Sequence, residues 1–532
     1  MGLLKPMGMR PRRRTAADAA AGGQASPVVA NTGRFMVGDV LDRVLGLAFL
    51  LAATSLYGVA AYGTYVVGLT VFQLVRTVVG FGLGRSLLKD AAAGTAIGDL
   101  ERVKGAIALG FAVSMTVGLL AATVLVVGAG SIVATAFPGQ QNLEPTLRMF
   151  GVLTPLFAVN FVLLQSFYGV GRVRDMVVAN SIVEPVVRLG ALVVLFAGNV
   201  TGPIALPAAY LVALVASSVY AGIVFRSRVW PQLAQVRARI RVRETLGFAV
   251  PVMLTDLFTR GFRSFNTFLF AVFRTSTDVG LFDIAIKLSG VALFFSGALM
   301  TAFRPRIAAL LAEKRIAELS SETQCYTRWI LSVAILPLGL LILMPAPILG
   351  VMSGAFVGAA TAVRILSCGL LVAQAAGPLV ALLLMSGRSR QVLGIIVGGA
   401  SLYTLASLYA IPNYGIDGAA AAATGTVLLV VPVLSVHVQR TLGVRIYDWA
   451  LWKPLVAASV AYSVALLLST ACGTGGLGSV VMVGSVATTV YVGALVAFGA
   501  ERDDHVVLAL MRDAAQRILE KPALRRRARG AA

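Results

Sequence analysis

Apolar residues run along this chain in stretches of about 20, enough for a helix to cross a hydrocarbon core of about 30 Å. Fourteen such stretches are predicted, at 35–57, 61–83, 105–130, 147–169, 176–198, 204–225, 246–271, 279–303, 329–352, 360–385, 391–411, 418–438, 450–470 and 477–499. The first and seventh differ in carrying charge, Asp39 and Arg43 in one and Asp256, Arg260 and Arg263 in the other. The pattern predicts an all-α polytopic membrane protein.

The pattern also repeats. A shift of 217 residues carries Asp39 and Arg43 onto Asp256 and Arg260, acid-then-base pairs at i, i+4, and Gly63 onto Gly280. With one residue of slippage Gly171-Arg172 falls on Gly387-Arg388, each just after a long apolar run. Two pseudo-symmetric six-helix lobes are expected, at 33–225 and 246–440, followed by two further helices within 441–500. A basic linker, 226–245, separates the lobes. Residues 1–32 read as a disordered basic tail and 501–532 as a second tail.

Composition agrees: of 532 residues 58% are hydrophobic and 13% charged, with mean hydropathy +0.87. The net charge of +22 raises nucleic acid as a partner, and its distribution removes it. Threaded through fourteen spans, 35 of the 45 Lys and Arg residues fall on one side. That is the positive-inside pattern, which puts both termini and the linker in the cytoplasm; the membrane expected is the cell (inner) membrane.

Soluble chemistry finds little support. Cys325, Cys368 and Cys472 lack metal-ligand spacing, and His437 and His505 are the only histidines. None of the seven lysines follows a glycine, as a P-loop requires. No enzyme activity, metal or cofactor is expected.

Charge inside the spans is the remaining signal, because each basic group at mid-bilayer depth costs about 2.5–3.5 kcal/mol on insertion scales. Four i, i+4 pairs place the acid first, the favourable order on a helix: Asp39–Arg43, Glu184–Arg188, Asp256–Arg260 and Asp283–Lys287. Glu184–Arg188 and Asp283–Lys287 read as structural or secondary cavity pairs. Arg76 and Arg263 have no acid three or four positions away on their own helices. They are the better candidates for meeting an anionic substrate, unless an acid on a neighbouring helix opposes them. Arg43 and Arg260 would support them. Asp39 and Asp256, at equivalent repeat positions, are candidates for an H⁺ or Na⁺ coupling ion.

Several stretches carry a family likeness: Val279-Gly280-Leu281-Phe282-Asp283-Ile284-Ala285, Phe303-Arg304-Pro305-Arg306, Ser386-Gly387-Arg388, and Ile411-Pro412-Asn413-Tyr414-Gly415-Ile416-Asp417-Gly418-Ala419-Ala420. Over roughly residues 30–440 the chain resembles Wzx-type polysaccharide flippases of the multidrug/oligosaccharidyl-lipid/polysaccharide exporter superfamily. The resemblance implies a V-shaped pair of bundles around a cavity lined partly by the first and seventh helices. It implies transfer of an undecaprenyl-diphosphate-linked oligosaccharide between leaflets, with membrane lipids around it and a polysaccharide polymerase and co-polymerase as partners. Arginine suits such a headgroup, since its planar fork matches phosphate oxygens. The alternatives are a lipid II flippase of the MurJ type and a MATE-type drug/cation antiporter, whose cationic substrates unopposed arginines would repel.

Overall fold

A computed structural model describes residues 27–498, apart from Phe81, Gln141, Arg260 and residues 473–475; the side chains of 27–37, 96, 255–264, 292, 294, 295, 298, 301, 302, 305, 389 and 472 also lie outside the described residues. Every regular element among the described residues is helical. The first helix, Pro27–Gly80, begins inside the segment read as a tail, so residues 27–32 are helical rather than disordered.

At about 1.5 Å per residue those 54 residues would reach about 81 Å, far more than a bilayer holds. The helix folds back at Gly58, whose φ of 85° and ψ of 163° are open to a residue without Cβ. Its arms, 27–57 and 59–80, are crossings 1 and 2. Ser389–Leu442 does the same at Gly415 (φ 60°, ψ −131°), giving crossings 11 (389–414) and 12 (416–442). Between them lie crossings 3 (Leu100–Val127), 4 (Leu143–Gly169), 5 (Val173–Ala197) and 6 (Ala205–Arg228). Crossing 7 is built from Val242–Thr259 and Gly261–Phe273, crossing 8 from Ser276–Ser289 and Leu293–Ala312. Crossing 9 is Ile316–Leu343 and crossing 10 lies within Gly354–Met385; 13 (Trp452–Cys472) and 14 (Leu477–Ala497) close the bundle.

Exposed apolar side chains such as Leu120, Val194, Leu405 and Leu467 face outward, where lipid would cover them. Crossings 13 and 14 dock on crossing 9. The Tyr462 hydroxyl donates to the Ile335 and Leu336 carbonyls (2.6 and 3.0 Å), and Gly339, having no Cβ, leaves room for its ring. Tyr491 donates to the Ser332 carbonyl at 2.8 Å.

The repeat is visible as matched turns. Gly171 and Gly387 take φ of 75° and 78°, each ending one helix before an arginine that opens the next. Arg172 and Arg228 both reach Asp175 (2.6 and 3.4 Å), joining crossings 5 and 6. In the second lobe Arg388 donates to the Thr441 carbonyl of crossing 12 at 3.2 Å.

The lobes touch at both ends. At the end away from the basic loops, here the neutral end, the repeat-related glycines face each other: a Cβ on Gly63 would meet the Gly280 nitrogen at 3.0 Å, and one on Gly280 the Gly63 nitrogen at 3.3 Å. Equivalent positions meet where a two-fold axis passes, which is how the repeat closes on itself. At the basic end Gly82, with φ 63°, lets the Ala249 carbonyl of crossing 7 approach its backbone, and the Lys89 ammonium lies 4.6 Å from the Phe248 ring centre. The linker is strapped to crossing 3: Lys104 donates to the Val236 and Ala234 carbonyls (2.7 and 3.3 Å), and the Arg239 amide donates to the Glu101 carbonyl at 3.1 Å. Gly105 leaves room for the Arg239 carbonyl.

Candidate functional site

The first charged cluster follows from one proline. Pro185 lacks an N–H and its ring would clash with the carbonyl of residue 181, so crossing 5 widens into a π-turn at Ala179–Val183, with the Glu184 amide donating to the Ala179 carbonyl. Ser217 on crossing 6 donates to the same carbonyl at 3.1 Å, and Asn160 on crossing 4 donates to Ser217 and Ser218 at 3.0 and 3.1 Å. The bulge is thus satisfied from outside the helix, and Arg188 follows one turn after Glu184.

Arg188 lies on aromatic rings. Its guanidinium carbon is 4.8 Å from the Phe49 centroid on crossing 1 and 5.7 Å from Tyr210 on crossing 6. Arg76, on crossing 2, sits 4.4 Å from the Phe157 centroid and donates to the Tyr210 hydroxyl at 3.4 Å. Behind it Phe72 stacks on Phe150 at 5.1 Å. Glu184 is close enough to act electrostatically on both Arg188 and Arg76 without touching either as an ion pair, and Asp42 joins the same field. The i, i+4 pair predicted at Glu184–Arg188 is therefore not a direct contact: the aromatic rings on crossings 1 and 6 take the guanidinium face instead. Nor does Arg76 lack an opposing acid, since crossing 5 supplies Glu184.

A second cluster spans the lobe seam. Asp283 and Lys287 form their predicted pair at 2.7 Å, and Tyr62 of crossing 2 is clamped between them. Its hydroxyl donates to Asp283 Oδ2 at 2.6 Å and accepts from Lys287 Nζ at 2.7 Å. One turn away Thr64 donates to the Ser276 hydroxyl (3.1 Å), which donates to the buried Gln140 (2.7 Å). Gln140 in turn donates to the Ala271 and Arg274 carbonyls, both at 3.1 Å, and so caps crossing 7 from the opposite lobe. Arg274 donates to the Ile411 carbonyl at 3.1 Å, one turn before the fold-back at Gly415. A Cβ at Gly415 would stand 2.6 Å from Arg274 Nη2. The Ile411-to-Ala420 stretch is thus a clasp holding crossings 7, 11 and 12 together.

Asp39 and Arg43 pair at 3.0 Å near the basic end, with both side chains more than half exposed. Such a pair contributes about 0–1 kcal/mol. Asp256, Arg260 and Arg263 lie outside the described side chains. The remaining predicted residues fall into two groups, Arg76 with Glu184 and Arg188, and Asp283 with Lys287. Tyr62, Tyr65, Tyr210, Gln140 and Arg274 were not singled out from the sequence. No group of three or more His, Cys, Asp or Glu residues suited to a metal occurs among the described residues.

Comparison with known proteins gives a family match and a set of fold matches. The model of the family described as "Polysaccharide biosynthesis protein" matches residues 28–311. A solved structure of the lipid II flippase MurJ in an inward closed conformation aligns with TM-score 0.65 at 10% identity, covering 87% of this chain and 98% of that one. An inward-facing multidrug resistance MATE family transporter aligns with TM-score 0.58 at 15% identity (75% and 98%). The MATE multidrug transporter DinF-BH gives 0.55 at 14% identity (80% and 98%). At these identities the structures share the fold. No curated protein matches the sequence.

Proposed function

We propose, on the premise that the chain belongs to the polysaccharide biosynthesis protein family, that it is a flippase for a lipid-linked oligosaccharide joined to its lipid by a diphosphate. In this reading the substrate is undecaprenyl-diphosphate-linked and crosses from the cytoplasmic to the outer leaflet of the cell membrane. The basic end faces the cytoplasm and the neutral end the outside. The lobes rock about the seam to expose the space between them to each side in turn.

The observation that carries this reading is Arg76. A guanidinium at membrane depth, held on an aromatic ring with a neutral hydroxyl as its hydrogen-bond partner and Glu184 acting on it only through space, keeps its donors for an anion brought in by a ligand. Arg263 is assigned the same role from crossing 7, with Arg43 and Arg260 in support. Asp39 and Asp256 are the proposed coupling-ion carboxylates. A polymerase and co-polymerase would use the delivered units.

Vesicles holding the purified chain and a fluorescent undecaprenyl-diphosphate oligosaccharide test this, with leaflet exposure read by an impermeant quencher. Protein-dependent equilibration is expected, and rates equal to protein-free vesicles would defeat the proposal. The fold shared with MurJ supports a second reading, a lipid II flippase. Offering both lipids in parallel separates the two.

A further inference from the structure

We infer that Arg188 and Tyr65, which have no counterparts in the second lobe, join Arg76 in holding the headgroup's phosphate oxygens, so that one chain binds one such anion. This rests on the flippase reading above only for the identity of the ligand.

Two donors in this cluster stand open. Arg188 Nε is fully buried and has no hydrogen-bond partner, and the same is true of the Tyr65 hydroxyl. A buried N–H or O–H left unpaired carries the full cost of its lost hydration, so native structures keep such groups where a ligand or water completes them. The two are neighbours, with the Tyr65 oxygen placed to accept from the Arg188 guanidinium; what is left for an anion is the Arg188 Nε hydrogen and the phenolic hydrogen of Tyr65. Neither can swing away easily. Arg188 is held over Phe49 and Tyr210, and the Tyr65 ring packs at 5.7 Å on Phe49 and 5.9 Å on Phe150. Arg76 stands on the other side of Tyr210 and offers a second guanidinium to a second phosphate. The carboxylates of Asp42 and Glu184 oppose the charge of Arg188 through space and leave its Nε hydrogen unused. They offset its charge without taking its hydrogen bond.

The repeat shows that the second lobe lacks this site. A shift of 217 carries Tyr65 to Phe282, which has no hydroxyl, and Arg76 to Leu293. Glu184, Arg188 and Tyr210 fall on Ser401, Leu405 and Val427, or with one residue of slippage on Ala400, Thr404 and Thr426. No charge survives at any of these positions. A transporter with equivalent lobes would seat an anion in each, whereas this chain seats one.

The test uses the full-length chain in lipid nanodiscs and inorganic pyrophosphate as the probe, by calorimetry. One pyrophosphate per chain is expected. Arg188→Ala should weaken binding at least tenfold, and Arg188→Lys should restore it only in part, since the charge returns without the fork. Tyr65→Phe should weaken binding severalfold while changing the melting temperature little, because the hydroxyl it removes makes no hydrogen bond of normal geometry within the protein. A structural role would give the reverse, a lower melting temperature with binding intact. Two anions per chain, or unchanged affinity in Tyr65→Phe and Arg188→Lys, would overturn the inference and leave the flippase reading standing. If the wild type binds no pyrophosphate but moves the lipid-linked sugar, the inference again falls alone. If it does neither, both fall.

Discussion

Gly63→Ala probes the seam at its tightest point. A Cβ there would run into the Ser276 carbonyl oxygen, and would lie 2.6 Å from its carbon and 3.0 Å from the Gly280 nitrogen. Comfortable carbon contacts need about 3.5–4.0 Å, and the oxygen is nearer still, so the lobes must part by more than about 1 Å at this point. Both obstacles are backbone, on helices fixed by the Gln140 cap, and neither can rotate away. Overpacking of this kind costs about 1–3 kcal/mol. It falls on the state closed at the neutral end and spares a state in which that end is open, so the population should shift toward the open state by about 5–150-fold. Nitroxide labels on Thr201→Cys and Ala355→Cys, in a background with Cys325, Cys368 and Cys472 replaced by alanine, read the separation of the two lobes by pulsed electron resonance. The expected result is a new, longer distance that dominates the variant. A distribution identical to that of the parent, in protein of unchanged melting temperature, would refute the argument that glycine is required for closure.

Four other outcomes follow. Tyr62→Phe removes one charge-assisted bond to Asp283 and the acceptor for Lys287, a loss of about 1.5–3 kcal/mol, and should shift the same label distances in the same direction as Gly63→Ala. Thr64→Cys with Ser276→Cys, whose oxygens stand 3.1 Å apart, should oxidise readily and arrest transport until a reductant is added; full transport by the cross-linked chain would remove the seam from the cycle. Arg263→Ala should abolish transport in stably inserted protein, with Arg263→Lys only partly active, and full activity in Arg263→Ala combined with Arg76→Ala would make both arginines structural. Reporters that work only in the cytoplasm should be active when fused after Arg243 and after Ala532, and activity of a periplasm-only reporter at either site would overturn the proposed orientation.

The architecture was legible because the bilayer imposes it: a chain with no water to satisfy its backbone must form helices of a set length, and those helices appear as apolar runs. The repeat was legible too, at Gly63 and Gly280 and at Gly171 and Gly387, because a backbone that needs glycine leaves no substitute in the sequence. Pairing across helices was not. The i, i+4 rule found Asp283–Lys287 but had no means of seeing Tyr62 between them, since that contact joins positions 221 residues apart. The rule also placed Glu184 against Arg188, where the aromatic faces of Phe49 and Tyr210 compete for the guanidinium. Gln140 gave no signal at all: a glutamine in a loop, next to a second one at 141, declares its role only when the carbonyls it caps arrive from the other lobe.

The strapping of the linker to crossing 3 sets a limit on how the molecule can open. Arg239 is anchored through its amide to Glu101, and crossing 7 begins at Val242. Arg241 is already tied to crossing 7, its carbonyl accepting from the Thr245 amide and its side chain pairing with Glu244, so only Ile240 lies free, a leash of about 7 Å when fully drawn out. Along that edge the two halves can turn but hardly part, much as a book turns about its spine. Any wide gap at the basic end must therefore develop on the far side of the bundle, away from crossings 3 and 7, and a bulky cargo has one flank from which to board.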